Sequence, residues 1–190
     1  MASGFGELVL VLGDGHIPHR AAEIPEKFQK MLVPNKIQHI LCTGNLVSKE
    51  QYENLRALAP NVHVVRGDSD LETTFPDRKV VAIGQFRIGL CHGHQVVPWG
   101  DQASLSALQR KMNVDILITG HTHEYHIRTE NGKWFVNPGS ITGAFSAATN
   151  DVTPSFILMA IQGPKVVAFV YELKAGENVV VSKSEFTKEL

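Results

Sequence analysis

Five times along the chain an apolar run ends, mostly through a glycine, in a residue able to bind a cation. The instances are Leu12-Gly13-Asp14-Gly15-His16, Cys42-Thr43-Gly44-Asn45, Val65-Arg66-Gly67-Asp68, Cys91-His92-Gly93-His94 and Thr119-Gly120-His121-Thr122-His123. Imidazoles with carboxylate and amide oxygens, and no thiolate, suit borderline divalent ions such as manganese, zinc or iron. Asp14, His16, Asn45, Asp68, His92, His121 and His123 are too many for one tetrahedral zinc. They fit two ions sharing a bridging ligand, the arrangement that clamps a phosphoryl group in hydrolysis. Singly, each has a bland explanation: Asp-x-His is a common loop accident, and Asn45 and Asp68 are ordinary turn residues. Recurrence of the same pattern at five strand exits carries the inference.

Such tips converge only if the runs before them are strands of open α/β sheets, where ligands bind outside the carboxyl ends. The apolar, β-branched runs at 7–12, 37–42, 62–65, 79–83, 86–91 and 115–119 read as buried strands. Helical stretches are predicted between them at 25–32, opened by Pro25, at 48–58, capped by Ser48, and at 101–112, capped by Asp101. Beyond residue 120 the runs at 125–129, 133–136, 155–161, 165–172 and 178–186 follow one another without helices. Asn131-Gly132 is a strong hairpin signal, and Gln162-Gly163-Pro164 and Ala175-Gly176 look like further turns. The second half is therefore expected to be mostly antiparallel and to pack face to face against the first.

At 190 residues and 43% hydrophobic, the chain supports one domain over 1–190 with an ordered core over about 7–186. Lys+Arg 18 against Asp+Glu 19 leaves a net charge of -1, which removes the field an unselective nucleic-acid or anionic-membrane binder needs. No apolar run approaches the roughly 18 to 20 residues of a membrane helix. The first residues lack a basic stretch followed by a long apolar one, so a cytoplasmic location is expected. Cys42 and Cys91 sit in apolar runs and read as plain core in a reducing compartment, Cys91 facing away from His92 by strand alternation.

In order, Asp14-x-His16, Gly44-Asn45, Gly67-Asp68, His92-Gly93 and Gly120-His121-x-His123 resemble the five signature blocks of the calcineurin-like metallophosphoesterases. The stretches 13–20, 36–45, 92–101, 114–123 and 137–140 are more similar still to one branch of that family, the small subunits of the retromer cargo-recycling coat. The resemblance implies an α/β fold, a four-layer α/β/β/α sandwich of two mixed sheets packed face to face with flanking helices. It also implies that Asp14, His16 and His123 hold one divalent ion, zinc or manganese, weakly bound, and that Asp68, His92 and His121 hold a second, with Asn45 between. The implied partner is the large helical-solenoid subunit of retromer, and the implied role is scaffolding of endosome-to-Golgi retrograde transport, with endosome membranes reached only through the complex. A weakly active Mn/Zn-dependent phosphodiesterase is the alternative, and a free-standing metal-binding protein a third.

Two departures from hydrolytic relatives favour the scaffold. Asn45 stands where they carry a bridging aspartate, and Gly67-Asp68-Ser69 where they carry Gly-Asn-His. The second change removes the histidine that protonates the leaving oxygen, a loss of about 10² to 10⁴ in rate. His19, His94 or His126 would have to take its place. Gly15, where this branch suggests leucine, loosens the first metal loop. Val96-Val97-Pro98-Trp99 is apolar where a loop is normally polar. It either folds into the core or, as the resemblance favours, offers Val97, Pro98 and Trp99 as a partner site. Met31-Leu32-Val33-Pro34 reads first as helix packing and second as a surface for regulators.

Overall fold

The computed structural model describes residues 6–71, 74–175 and 178–189. Its elements are β1 (Glu7–Leu12), α1 (Glu26–Met31), β2 (His39–Cys42), α2 (Lys49–Leu58), β3 (Asn61–Val64), β4 (Arg78–Ile83), β5 (Phe86–Cys91), α3 (Gln102–Met112), β6 (Ile116–Ile118), β7 (Tyr125–Glu130), β8 (Lys133–Pro138), β9 (Ser155–Gln162), β10 (Lys165–Lys174) and β11 (Asn178–Thr187).

Side-chain alternation along these strands builds the layers. On β1, Val9 and Val11 join a core shared with Ile88, Leu90, Ile116, Ile118, Trp134 and Val136, the layer between two sheets. Leu10 and Leu12 point the other way, into a second core with Phe28 of α1 and Leu55 of α2. Leu117, Phe135 and Cys91 face outward from the second sheet, against Leu105 and Leu108 of α3. Three apolar layers thus separate helix, sheet, sheet and helix, the α/β/β/α order expected.

The division of strands between the sheets differs from the expectation that the two halves of the chain each form one. The six-stranded sheet runs β11-β10-β9-β1-β2-β3, and the five-stranded sheet β4-β5-β6-β8-β7. Both are mixed, because β9 returns to add antiparallel to β1, pairing Val9 with Met159, while β4 and β7 flank the parallel β5-β6-β8 run antiparallel. Strand-like periodicity records which face of a run is buried and holds no record of which neighbour it pairs with.

The capping signals hold. Ser48 accepts from Gln51 N–H at 3.4 Å and Asp101 from Ser104 N–H at 2.9 Å. Asn131 and Gly132 join β7 to β8 with φ of 50° and 71°, as a two-residue hairpin turn requires. β9 and β10 meet through the turn at Gly163, whereas Gly176 of the other expected turn lies outside the described residues.

Candidate metal centre

β1, β2 and β3 run parallel in one sheet, and β5 and β6 parallel in the other. Each of these five strands ends in one of the sequence-predicted ligand tips, and the tips meet. Asp14 Oδ1 lies 3.8 Å from His16 Nε2, 3.8 Å from His92 Nε2 and 3.6 Å from His123 Nε2. Asp68 Oδ1 lies 3.2 Å from His92 Nε2 and 3.8 Å from His121 Nδ1. Asn45 Nδ2 is 3.2 Å from Asp14 Oδ1 and 3.0 Å from Asp68 Oδ1, so Asn45 does sit between the two clusters. A cavity of about 310 Å³ opens over His16, Asn45, Asp68, His121 and His123.

The loops are bent to achieve this. Asp14, His16, Asn45, His121 and His123 all have φ between 48° and 73°, a region that non-glycine residues enter at a cost of order 1 kcal/mol or more apiece. Cross-loop hydrogen bonds hold them there. Asp14 N–H donates to Gly44 O at 3.0 Å and His16 N–H to Asn45 O at 2.9 Å. From the loop after β8, Ser140 Oγ donates to Asp14 O at 2.7 Å and Thr142 Oγ1 to Gly15 O at 2.8 Å. Asn137 Nδ2 donates to Gly120 O at 3.2 Å and to Thr122 Oγ1 at 3.0 Å, steadying the tip that carries His121 and His123.

Outer contacts also fix which ring nitrogen faces the cup. His92 Nδ1 donates to Thr43 O and His123 Nδ1 to Ala144 O, both at 2.6 Å, which leaves each Nε2 pointing inward. Asp14 Oδ2 accepts from His121 N–H at 2.9 Å, which turns Oδ1 toward the three imidazole nitrogens and the Asn45 amide.

Electrostatics follow from this crowding. Burial, against the weaker pull of Asp14, lowers the His16 pKa to about 4, so its ring is neutral and lone-paired at neutral pH. Burial and then the charge of His92 also lower His121. Burial opposes charge on His92, but Asp14, Asp68 and the Thr43 carbonyl outweigh it and raise its pKa. The His92 hydrogen bond, opposed by burial and aided by the Asn45 amide, holds the Asp68 carboxyl far below the usual carboxylate range. A proton drawn to His92 supplies part of the positive charge that a bound cation would.

The residues fit a divalent metal. His16 Nε2 is buried, aimed at Asp14 and without a hydrogen-bond partner. Asp14, His16 and His123, the set the resemblance implies, form one group whose ligand atoms lie within 4.8 Å of one another. The second such group is Asp68, His92 and His94, with His121 alongside. The sequence offers His94 only as a replacement acid. Its Nδ1 is buried without a partner, and the ring lies 5.3 Å from that of His92.

Asp70 was missed entirely. One of its oxygens accepts from Asn45 N–H and Gly67 N–H at 2.8 Å each, the other from Val47 N–H at 2.9 Å. Its spacing behind Asp68 in a Gly-Asp-Ser-Asp turn was the available signal, since aspartate side chains commonly cap the backbone of turns. His19 and His126 are exposed and absent from the lining of the cup, so neither stands where the missing acid would.

Beside the cup, Val96 is buried against α3, while Val97 and Trp99 are 74% and 52% exposed and Pro98 is exposed as well. Phe145 is also 48% exposed, and Arg20 donates from Nη1 to Phe145 O at 3.0 Å with its guanidinium over the ring. Cys91 is core, as expected: its Sγ lies 3.3 Å from Gln95 Oε1, and burial raises the thiol pKa. At the other surface considered, Leu32 packs on the helix-side core whereas Met31 is 42% exposed.

Comparison with known proteins agrees with this geometry. Residues 8–163 match the calcineurin-like phosphoesterase superfamily domain. Vacuolar protein sorting-associated protein 29 of Schizosaccharomyces pombe is 43% identical over 95% of this chain and 98% of its own length. The structure of vacuolar protein sorting 29 from Cryptosporidium parvum superposes with a TM-score of 0.93 at 49% identity, over 97% of this chain and all 100% of that one. Wild-type Vps29 of Entamoeba histolytica, solved in complex with zinc, superposes with a TM-score of 0.90 at 48% identity, over 95% and 99% of the two chains.

Proposed function

Because the chain belongs to the calcineurin-like phosphoesterase superfamily and, within it, to the Vps29 family, we propose that it is a non-catalytic scaffold subunit of retromer. In that role it supports retrieval of membrane cargo from endosome to Golgi. The observation that carries this reading is the ledge of Val97, Pro98 and Trp99, a row of exposed apolar side chains on the rim of the cup. An exposed patch of this kind marks a partner site. Its occupant is the large helical-solenoid subunit of the same coat, and the half-exposed Met31 surface is left to regulators.

Within the cup, Asp14, His16 and His123 hold one zinc or manganese ion. Asp68 and His92 hold a second with His121 or His94, and Asn45 stands between the two. When bound, such ions polarise a phosphoryl oxygen and acidify a water. The protein's own groups do not complete the reaction. Ser69 has no proton to give near neutral pH, and the neighbouring His94 is held below its ordinary pKa by burial and then by His92, which leaves its ring neutral.

One observation favours the second reading, a weak Mn/Zn-dependent phosphodiesterase: a ring nitrogen of His94 lies within 4.8 Å of the ligand atoms of Asp68 and His92. We read the chain as one domain over 1–190, cytoplasmic, associated with endosome membranes through its complex. No described helix is long and apolar enough to cross a membrane.

Capture by the C-terminal part of the large retromer subunit tests the proposal. The unmodified protein is captured and Val97→Asp is not, with both equally folded. Failure of the unmodified protein to be captured overturns the scaffold assignment.

A further inference from the structure

Around Asn45 the hydrogen-bond chemistry is one-sided. Its Nδ2 donates to two carboxylate oxygens, Asp14 Oδ1 at 3.2 Å and Asp68 Oδ1 at 3.0 Å, with His92 Nε2 beside it at 3.1 Å. Its Oδ1 faces a donor, the Ser69 N–H, at 2.9 Å. The amide cannot be reversed in the metal-free protein without setting its NH₂ against the Ser69 N–H and its oxygen against two carboxylates. A cation demands the opposite orientation, because an amide ligates through oxygen. The backbone of the residue is fixed independently, since Asp70 accepts from Asn45 N–H, Gly67 N–H and Val47 N–H and so ties the 45–47 loop to the 67–70 turn.

We propose that the Asn45 amide is a built-in stand-in for the bridging cation, set in place by the 67–70 turn, and that metal loading turns it over and releases the Ser69 N–H. In the empty cup the NH₂ supplies the partial positive charge that keeps the Asp14 and Asp68 oxygens in register. The fold therefore does not depend on metal, and affinity is lowered by the contacts that loading breaks. An aspartate at this position reverses both properties, adding a third carboxylate to the empty cup and an anionic bridge to the filled one. The proposal rests on the reading of the cup as a divalent-cation site. Its metal-free half does not.

Two measurements on the full chain test it. In EDTA, Asn45→Asp melts about 5 °C or more below the unmodified protein, and zinc chloride closes that gap. By calorimetric titration the same variant binds zinc about tenfold or more tighter. A melting temperature in EDTA equal to or above that of the unmodified protein overturns the stand-in role. Should the variant fail to fold, amide hydrogen exchange of the unmodified protein decides. On zinc addition the Ser69 amide loses protection about tenfold or more while Gly67, held by Asp70, keeps its own; unchanged Ser69 protection in zinc-loaded protein overturns the turnover of the amide. Absence of zinc binding in every variant contradicts the cation reading of the cup, and the EDTA comparison still decides the stand-in role.

Discussion

The indole of Trp99 meets the imidazole of His121 nearly at right angles, their planes 80° apart and their centroids 4.4 Å apart. One ring is half exposed on the apolar ledge and the other lines the cup, so the two surfaces share a wall. Large aromatic side chains dominate binding where they become buried on docking. Trp99→Ala is therefore expected to weaken capture by the large retromer subunit by about 2 kcal/mol or more, read as a dissociation constant by calorimetry. The substitution also uncovers His121, so zinc affinity falls in the same variant, though less than in His121→Ala.

Asp70 positions the cup without entering it. Asp70→Asn removes the charge that serves three backbone N–H groups, and is expected to cost about 1 to 3 kcal/mol of stability. Zinc affinity should fall about tenfold or more, since groups that orient ligands commonly matter that much. Urea unfolding and zinc titration of the same preparation check both. An unchanged zinc affinity would separate Asp70 from the site.

Glycines around the site divide by the space beside them. A methyl at Gly15 meets nothing nearer than Ile141 Cγ2 at 3.7 Å, and a cavity of about 450 Å³ lined by Leu12, Ile17, Leu46, Leu55 and Ile141 lies beyond. Gly15→Ala is thus expected to gain up to about 1 kcal/mol by restricting the unfolded chain, and Gly15→Leu is accommodated. A methyl at Gly120 falls 2.6 Å from Thr43 Oγ1 and 2.9 Å from Asp14 Oδ2. Gly120→Ala is expected to cost about 2 kcal/mol or more and to displace Asp14. Urea midpoints of the variants give the order.

Acid should weaken the fold before carboxylates protonate. The His63 pKa is pushed below its ordinary 6.5 by burial, then by Lys79 and His39. A folded-state pKa below the unfolded one means that the unfolded chain binds more protons in the interval between them. The stability is therefore whole above pH 6.5 and declines as pH falls through that interval. His63→Gln flattens the decline in melting temperature and does not abolish it, because His16 is lowered in the same direction, to about 4.

Much of this was legible in the residues because strand exits write their chemistry locally. All seven expected ligands, from Asp14 to His123, face one cup, and glycines before them mark the tight exits. Sheet partition was not legible, since the pairing of β9 with β1 is a choice among distant runs of the same periodicity. Nor were the left-handed conformations of Asp14, His16 and Asn45, which tertiary hydrogen bonds impose on residues with no such preference strong enough to read. From spacing alone His94 reads only as a substitute acid; its closeness to Asp68 depends on how the two sheets meet. For Asp70 only the bond to Gly67 N–H within its own turn could be read from spacing; the amides of Asn45 and Val47 come from a loop twenty-odd residues away and leave no trace in side-chain type.

The central claim is that a cation cup has been turned from hydrolysis to docking by the loss of a proton donor. Turnover of a dialkyl phosphate, whose alkoxide cannot leave without a proton, by the purified protein in excess manganese tests it directly. The substrate should remain essentially untouched at neutral pH, with no difference between the unmodified protein and His92→Ala. Brisk turnover that disappears in His92→Ala would contradict the account.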